Sequence, residues 1–449
     1  MKEEVDLLVT DAGEVVTMAA DAAALAGAGA GAGAGSGAAG RSTPPLRGAA
    51  LDDPGVIERG AVAVRDGRIV AVDEATRVAA RFSARRTLSA RGGTVLPGFC
   101  DAHTHPVFDA TREREFDLRA RGRTYQEITA AGGGIFSSVR SLRAASRERL
   151  AALLEQRLDR FLTAGTTSIE AKSGYGLTAE TELLSLELLR EAAARHPVDI
   201  DPTCLAAHQV PPEFHGDRAA YVHLVAREIL PEVARRGLAR SADVFCDQGA
   251  YSVDEAREVL EGARAAGLAR RVHADELAPV GAAELAAACG AQTADHLVHV
   301  SDAGIAAMAR AGTAPVLLPG TCFSLRSRAV PPVGRMIEAG LPIVIATDFN
   351  PGTSYVPSMV TIVGLACGLF GLTVAQALAA ATRNAAATLG LPGPRGLLAP
   401  GAVADLVVLD VPNHLHLGYE FGRNPVAAVV KDGQLVCERE PARVVRRGG

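Results

Sequence analysis

The chain has 449 residues, with 46 Lys+Arg against 51 Asp+Glu and a net charge of −5. That length exceeds one small domain and suits a large domain of about 250–300 residues with an accessory. Apolar residues at 48% and charged residues at 22% exclude wholesale disorder, and mild acidity without a long basic run argues against nucleic acid as a partner.

The opening Met1-Lys-Glu-Glu-Val-Asp lacks the basic-then-apolar build of a secretory signal. Strand-like segments follow at 6–10, 61–64 and 68–72, with Asp66-Gly67 as a hairpin turn between the last two. An Ala/Gly-rich insertion at about 19–50 interrupts them. Its core, 22–40, holds a single Leu, which is too little apolar surface for a membrane span and reads as a loose surface segment. The middle of the chain alternates short apolar runs with helical Ala/Leu/Glu/Arg stretches such as 148–163, 180–195 and 252–266. The runs fall at 95–101, 166–171, 200–206, 242–245, 270–274, 291–294, 314–318 and 343–347. Eight βα units over about 300 residues predict a (β/α)8 barrel at 95–395. A doubly wound sheet is the alternative, but no Gly-rich phosphate turn follows the first run. Strands return at 405–409, 427–430 and 435–437, the last pair joined by Lys431-Asp432-Gly433-Gln434. The expected fold is therefore α/β: a TIM-like barrel with a small β-sandwich domain assembled from 1–94 and 396–449. Seven cysteines without a Cys-x-x-Cys pair predict no disulfide framework and a cytoplasmic setting.

In a barrel, chemistry collects where strands end. The first run ends in His103-Thr-His105, whose i and i+2 side chains point to one side and can offer two imidazoles to one cation. The fifth ends in His273-Ala-Asp-Glu276, the sixth in Asp295-His296 and the eighth in Asp348-Phe-Asn350. Three imidazoles and a carboxylate, His103, His105, His273 and Asp348, form a set for a single zinc or iron ion. Such an ion lowers the pKa of water, and hydrolysis then needs a group to carry the proton to the leaving nitrogen. Glu276, three residues after His273, is the expected shuttle, alone or with Asp348. His296 is expected to polarise the scissile carbonyl or hold the water.

On Asp101-Ala-His-Thr-His-Pro-Val-Phe, Tyr125-Gln-Glu-Ile with Gly132-Gly-Gly-Ile, Lys172-Ser-Gly-Tyr-Gly-Leu, Ala207-His-Gln-Val-Pro-Pro-Glu, Ala242-Asp-Val-Phe-Cys-Asp, His273-Ala-Asp-Glu and Thr347-Asp-Phe-Asn-Pro-Gly-Thr, the chain resembles the amidohydrolase superfamily over nearly its whole length. His-x-His marks only the superfamily. The Lys-Ser-Gly-Tyr-Gly and Asp-Phe-Asn-Pro-Gly segments narrow it to a branch that opens an imidazolone ring. The resemblance implies one metal ion on the four residues above and substrate contacts at Arg112, Tyr175, His208, Glu276, Asn350, Gly352 and Thr353. It implies hydrolysis of 4-imidazolone-5-propanoate to N-formimidoyl-L-glutamate, a step of histidine breakdown, by a homodimer. Arg112 then presents a rigid two-pronged donor to the propionate. Two-metal members of the superfamily carry a bridging lysine at the end of strand four. Here that strand ends Phe245-Cys246-Asp247, so one ion is expected, and Lys172 is expected to be structural or a substrate-side charge.

Overall fold

The computed structural model describes residues 1–19, 43–123, 127 and 131–439. The Ala/Gly segment at 22–40 and the Tyr125 motif, apart from Glu127, lie outside the described residues.

The amino-terminal part supplies β1 (Glu3–Thr10), β2 (Glu14–Val16), β3 (Val56–Glu58), β4 (Gly60–Arg65), β5 (Arg68–Glu74), β6 (Phe82–Ser89) and β7 (Thr94–Pro97). Asp66 and Gly67 turn β4 into β5 with φ of 51° and 69°, the doubly left-handed hairpin their sequence calls for. One sheet runs β5-β4-β1-β6, and its residues alternate in destination. Val62 and Val64 join the main core, whereas Ala61 and Ala63 pack with Val78 of the short helix Ala75–Arg81.

The barrel strands are β8 (Phe99–Asp101), β9 (Thr166–Lys172), β10 (Asp199–Ala207), β11 (Ser241–Cys246), β12 (Ala269–Ala274), β13 (Thr293–His296), β14 (Ala314–Leu317) and β15 (Val344–Ile345). They pair in chain order as one parallel eight-stranded sheet. Helices Arg147–Thr163, Ala179–Ala193 and Val253–Ala265 lie where periodicity places them, and Ser146, Thr178 and Ser252 cap their first turns. The last strands are β16 (Leu406–Leu409), β17 (Val426–Lys431) and β18 (Gln434–Glu438). They share a second sheet with the amino-terminal strands, in the order β18-β17-β16-β7-β2-β3. Both chain ends thus build one accessory unit, as patterning suggests.

Three boundaries differ from the sequence reading. The 95–101 run divides: β7 pairs with β16 in the terminal sheet, and only β8 enters the barrel. Pro97 has no N–H to continue a ladder, and a Cβ on Gly98 would meet the Thr167 side chain at 2.4 Å, so the chain changes sheets at a residue without one. The end of the insertion is not loose. Leu46 and Leu51 are buried, and Asn384 accepts from the Leu46 N–H at 2.6 Å while donating to the Leu46 carbonyl at 3.0 Å. β6 pairs parallel to β1 from a segment, Phe82–Ser89, too charged to show as a strand.

Candidate metal centre and substrate cavity

The barrel closes at its carboxyl end rather than at its middle. The His105 N–H donates to the Phe349 carbonyl at 2.8 Å, and the Asp348 N–H donates to the His103 carbonyl at 3.0 Å. Asp101 braces the same seam, accepting from the Thr347 N–H at 3.0 Å and its hydroxyl at 2.6 Å. The 103–105 segment is therefore extended backbone, and His103 and His105 reach the same side as the alternation of strand side chains requires. His273 stands on β12 in register with Phe245 and Asp295.

One ring nitrogen from each of His103, His105 and His273 falls within 4.8 Å of the others, and all three side chains are buried. His103 Nε2 and His105 Nε2 are 3.1 Å apart. Asp348 Oδ1 lies 3.5 Å from the first and 3.3 Å from the second. Its Oδ2 accepts from the Thr321 hydroxyl, and its backbone is left-handed at φ 50°, which turns the carboxylate toward the imidazoles. Among the described residues, the Nε2 of His273 is buried without a hydrogen-bond partner. Buried polar atoms facing one another without partners cost free energy unless something joins them. A borderline cation does so, and the donor set fits one.

Beneath the imidazoles is a row of buried charge. Asp295 Oδ2 is 2.6 Å from His103 Nδ1, which leaves Nε2 of that ring as the lone-pair atom. Asp243 Oδ2 is 3.1 Å from His273 Nδ1. Lys172 joins the two carboxylates, its Nζ 2.9 Å from Asp243, 3.9 Å from Asp295 and 2.8 Å from Glu170. Burial alone would push the Lys172 ammonium down, but Asp243, Glu170 and Asp295 together raise it, so it stays charged. Burial likewise disfavours a protonated His273, and the Asp243 carboxylate outweighs it and raises that imidazole. Burial and surrounding cationic groups hold His103 and His105 well below the usual histidine range. Lys172 is thus a structural ion, one of the two alternatives its position left open.

Above the imidazoles opens a cavity of about 520 Å³ lined by His105, Arg112, Tyr175, His208, Glu276, His296, Asp348, Asn350 and Thr353. Two larger hollows, of about 700 and 690 Å³, lie away from the histidine cluster, so size does not choose the site. Burial, helped by the charge on Asp348, pushes the Glu276 carboxyl up to about 8. Its side chain is 12% exposed and its Oε2 lies 3.6 Å from His296 Nδ1. Burial pushes His296 down to about 3, leaving a neutral ring. His208 uses Nδ1 on the Gly174 carbonyl at 2.9 Å and stacks on His105 at 5.4 Å, so Nε2 is its free atom. Asn350 is largely consumed by its own turn, with Oδ1 accepting the Gly352 and Thr353 N–H groups at 2.8 and 2.7 Å. Gly352 packs against the Arg112 guanidinium.

The amidohydrolase family model matches residues 94–436. The chain is 46% identical over 443 residues to imidazolonepropionase of Symbiobacterium thermophilum, covering 98% of this chain and 99% of that one. It is 46% identical to imidazolonepropionase of Geobacillus kaustophilus over 402 residues, covering 89% and 95%. The chain belongs to the imidazolonepropionase branch of the amidohydrolases. Solved structures that share the fold include a zinc-bound adenosine deaminase from Xanthomonas campestris, with a TM-score of 0.65, 20% identity and coverage of 97% and 93%. Guanine deaminase of E. coli superposes with a TM-score of 0.66 at 16% identity, covering 96% and 99%. At such identities the likeness concerns the amidohydrolase fold alone.

Several residues of this amidohydrolase receive no role in the sequence reading: Asp243 and Asp295 beside His273 and His103, Glu170 beside Lys172, and Asp247. Asp247 accepts from the backbone N–H groups of Glu276, Leu277 and Ala278 at 2.6, 2.9 and 3.1 Å, and so shapes the turn that carries Glu276. A signal existed. A carboxylate inside a strand buried on both faces, as in Ala242-Asp-Val-Phe and Ala294-Asp-His, requires a buried partner.

Proposed function

We propose that this amidohydrolase opens the ring of 4-imidazolone-5-propanoate with water to give N-formimidoyl-L-glutamate, using one zinc or iron ion held by His103, His105, His273 and Asp348. The observation that carries the reading is a full-length likeness to imidazolonepropionases in a chain whose cavity is lined by Arg112 together with His105 and His273 of the three-histidine cluster. A ring bearing a propionate needs both ends; a neutral nucleobase needs no carboxylate partner.

The bound ion would act as a Lewis acid toward water and the ring amide. The protein supplies the rest. Arg112 holds the propionate, while Tyr175 and the free Nε2 of His208 flank the ring beside His105. His296, neutral across the working range, donates to the carbonyl oxygen as negative charge develops there. Glu276, as its carboxylate, takes the proton of the attacking water and returns it to the ring nitrogen as the carbon–nitrogen bond breaks. Water is consumed, one amide bond is lost, and a carboxylate and an amidine nitrogen are formed.

The experiment is the fall in ultraviolet absorbance of imidazolone propionate with and without a chelator. Turnover that stops with the chelator and returns with added zinc or iron supports the reading. Ammonia release from guanine, cytosine or adenosine, with imidazolone propionate untouched, overturns it. The same reading carries a cytoplasmic homodimer. No helix among the described residues is long and apolar enough to cross a membrane, and light scattering is expected to give twice the chain mass.

A further inference from the structure

One edge of the Arg112 guanidinium is already taken. Its Nε and Nη2 both go to one oxygen of Glu115, at 2.9 and 2.8 Å. Glu115 is fixed in turn, its other oxygen accepting the Gly134 N–H at 3.1 Å. What remains is the Nη1–Nη2 end, and its Nη1 lies against Gly352 so closely that a Cβ there would meet it at 2.4 Å. The carbonyl of the same glycine accepts from Arg119 Nη2 at 2.9 Å. Two guanidinium groups therefore stand on one glycine, and both line the cavity.

Arg119 is the less compensated of the two. No carboxylate pairs with it among the described residues, and its Nε is buried without a hydrogen-bond partner. Two guanidiniums with one carboxylate between them leave one positive charge uncompensated, which suits a single anionic group. A carboxylate has two oxygens that together accept more than two hydrogen bonds, so the end of Arg112 left by Glu115 and the Arg119 guanidinium can share one.

We infer that Arg119 is the second half of an anion clamp, and that Arg112 and Arg119 together grip the side-chain carboxylate of the substrate beside the Gly352 backbone. The inference rests on the proposed substrate for its ligand, but not for its geometry. Gly352 serves here as the seat of the clamp rather than as a direct substrate contact.

The test compares imidazolone propionate with its side-chain amide in the metal-loaded enzyme. A charge-assisted hydrogen bond in a closed site is worth about one to two orders of magnitude in affinity. Arg119→Met is expected to raise KM for the acid about 10- to 100-fold, far more than it lowers kcat, and to reduce the preference for acid over amide by the same factor. Metal content should stay at the wild-type level, and Arg119→Lys should recover part of the loss. In a double-mutant cycle, Arg112→Met and Arg119→Met should couple on the acid and act independently on the amide. An unchanged acid-to-amide preference in Arg119→Met overturns the clamp, as does a loss of metal that accounts for the whole effect. Calorimetric binding of 3-(imidazol-4-yl)propanoate, a ring with no scissile amide, separates the two readings. Wild-type binding that weakens in Arg119→Met and Arg119→Lys, without turnover of imidazolone propionate, sinks the proposed reaction and keeps the clamp. Equal binding by wild type and both variants sinks the clamp whatever the turnover.

Discussion

Replacing Lys172 by Met removes the one ammonium beneath the metal site while roughly keeping its shape. At an effective dielectric of about 20, each of its two short contacts represents about 6 kcal/mol of attraction. Desolvating several buried ions cancels most of that, so the intact cluster adds little net stability. Truncation is different, because the carboxylates stay where they are. Glu170 retains Arg271 at 4.0 Å, but Asp243 and Asp295 are left with only the histidines they steady. Breaking a buried pair on one side costs about 3–5 kcal/mol, and we expect a loss of that size in urea unfolding of the metal-free protein. Asp243 and Asp295 would then offset the missing charge by taking up protons, which weakens their hold on His273 and His103. Loss of such outer partners typically costs about 10- to 100-fold in metal affinity, and competition with a chromogenic chelator measures it. Stability within about 1 kcal/mol of wild type, together with metal affinity within about twofold, would refute the reasoning.

Glu276→Gln should keep the metal and lose at least about a hundredfold in kcat, checked by elemental analysis beside turnover; loss of metal would make Glu276 a structural partner instead. The same variant should change the pH dependence of stability. With its carboxyl raised to about 8 in the fold against about 4.3 in the unfolded chain, Glu276 binds more protons folded than unfolded across that window. Its contribution is then full below about pH 4.3, declines by up to about 1.4 kcal/mol per pH unit above it, and is gone near pH 8. Metal-free Glu276→Gln should lack this slope, so a wild-type slope in urea titrations from pH 5 to 8 would contradict the burial argument. Asp247→Ala removes the acceptor for the N–H groups of Glu276, Leu277 and Ala278, and should lower kcat about tenfold or more with metal content intact. Equal loss of metal would place Asp247 among the supports of the ion rather than of the Glu276 turn.

The barrel was legible because most of its strands are short, largely buried stretches rich in apolar residues that alternate with helical ones, and that pattern survives without any alignment. Strand ends also revealed the chemistry, since histidine and carboxylate rarely follow so many apolar runs in one chain without a purpose. What stayed hidden depends on distance rather than pattern. Phe82–Ser89 is a strand only because β1 is there to pair with, and nothing local announces it. Arg119 sits in a run of arginines that composition assigns to solvent, and its role turns on Gly352, a partner 233 positions away in sequence. Asp243 and Asp295 show the intermediate case. Each is a charge in a strand with no water to solvate it, so its sequence context states that a partner must exist without naming it. Lys172 meets that demand for both, reaching from β9 to carboxylates on β11 and β13, strands that are not its neighbours in the sheet. The register of the barrel therefore does two things with one geometry. It closes the cylinder at the segments carrying His103, His105 and Asp348, and it stacks beneath them the charges that keep those side chains in place. A substitution that slipped either of the two outer strands by one residue would turn these side chains away from the cavity and open the seam together.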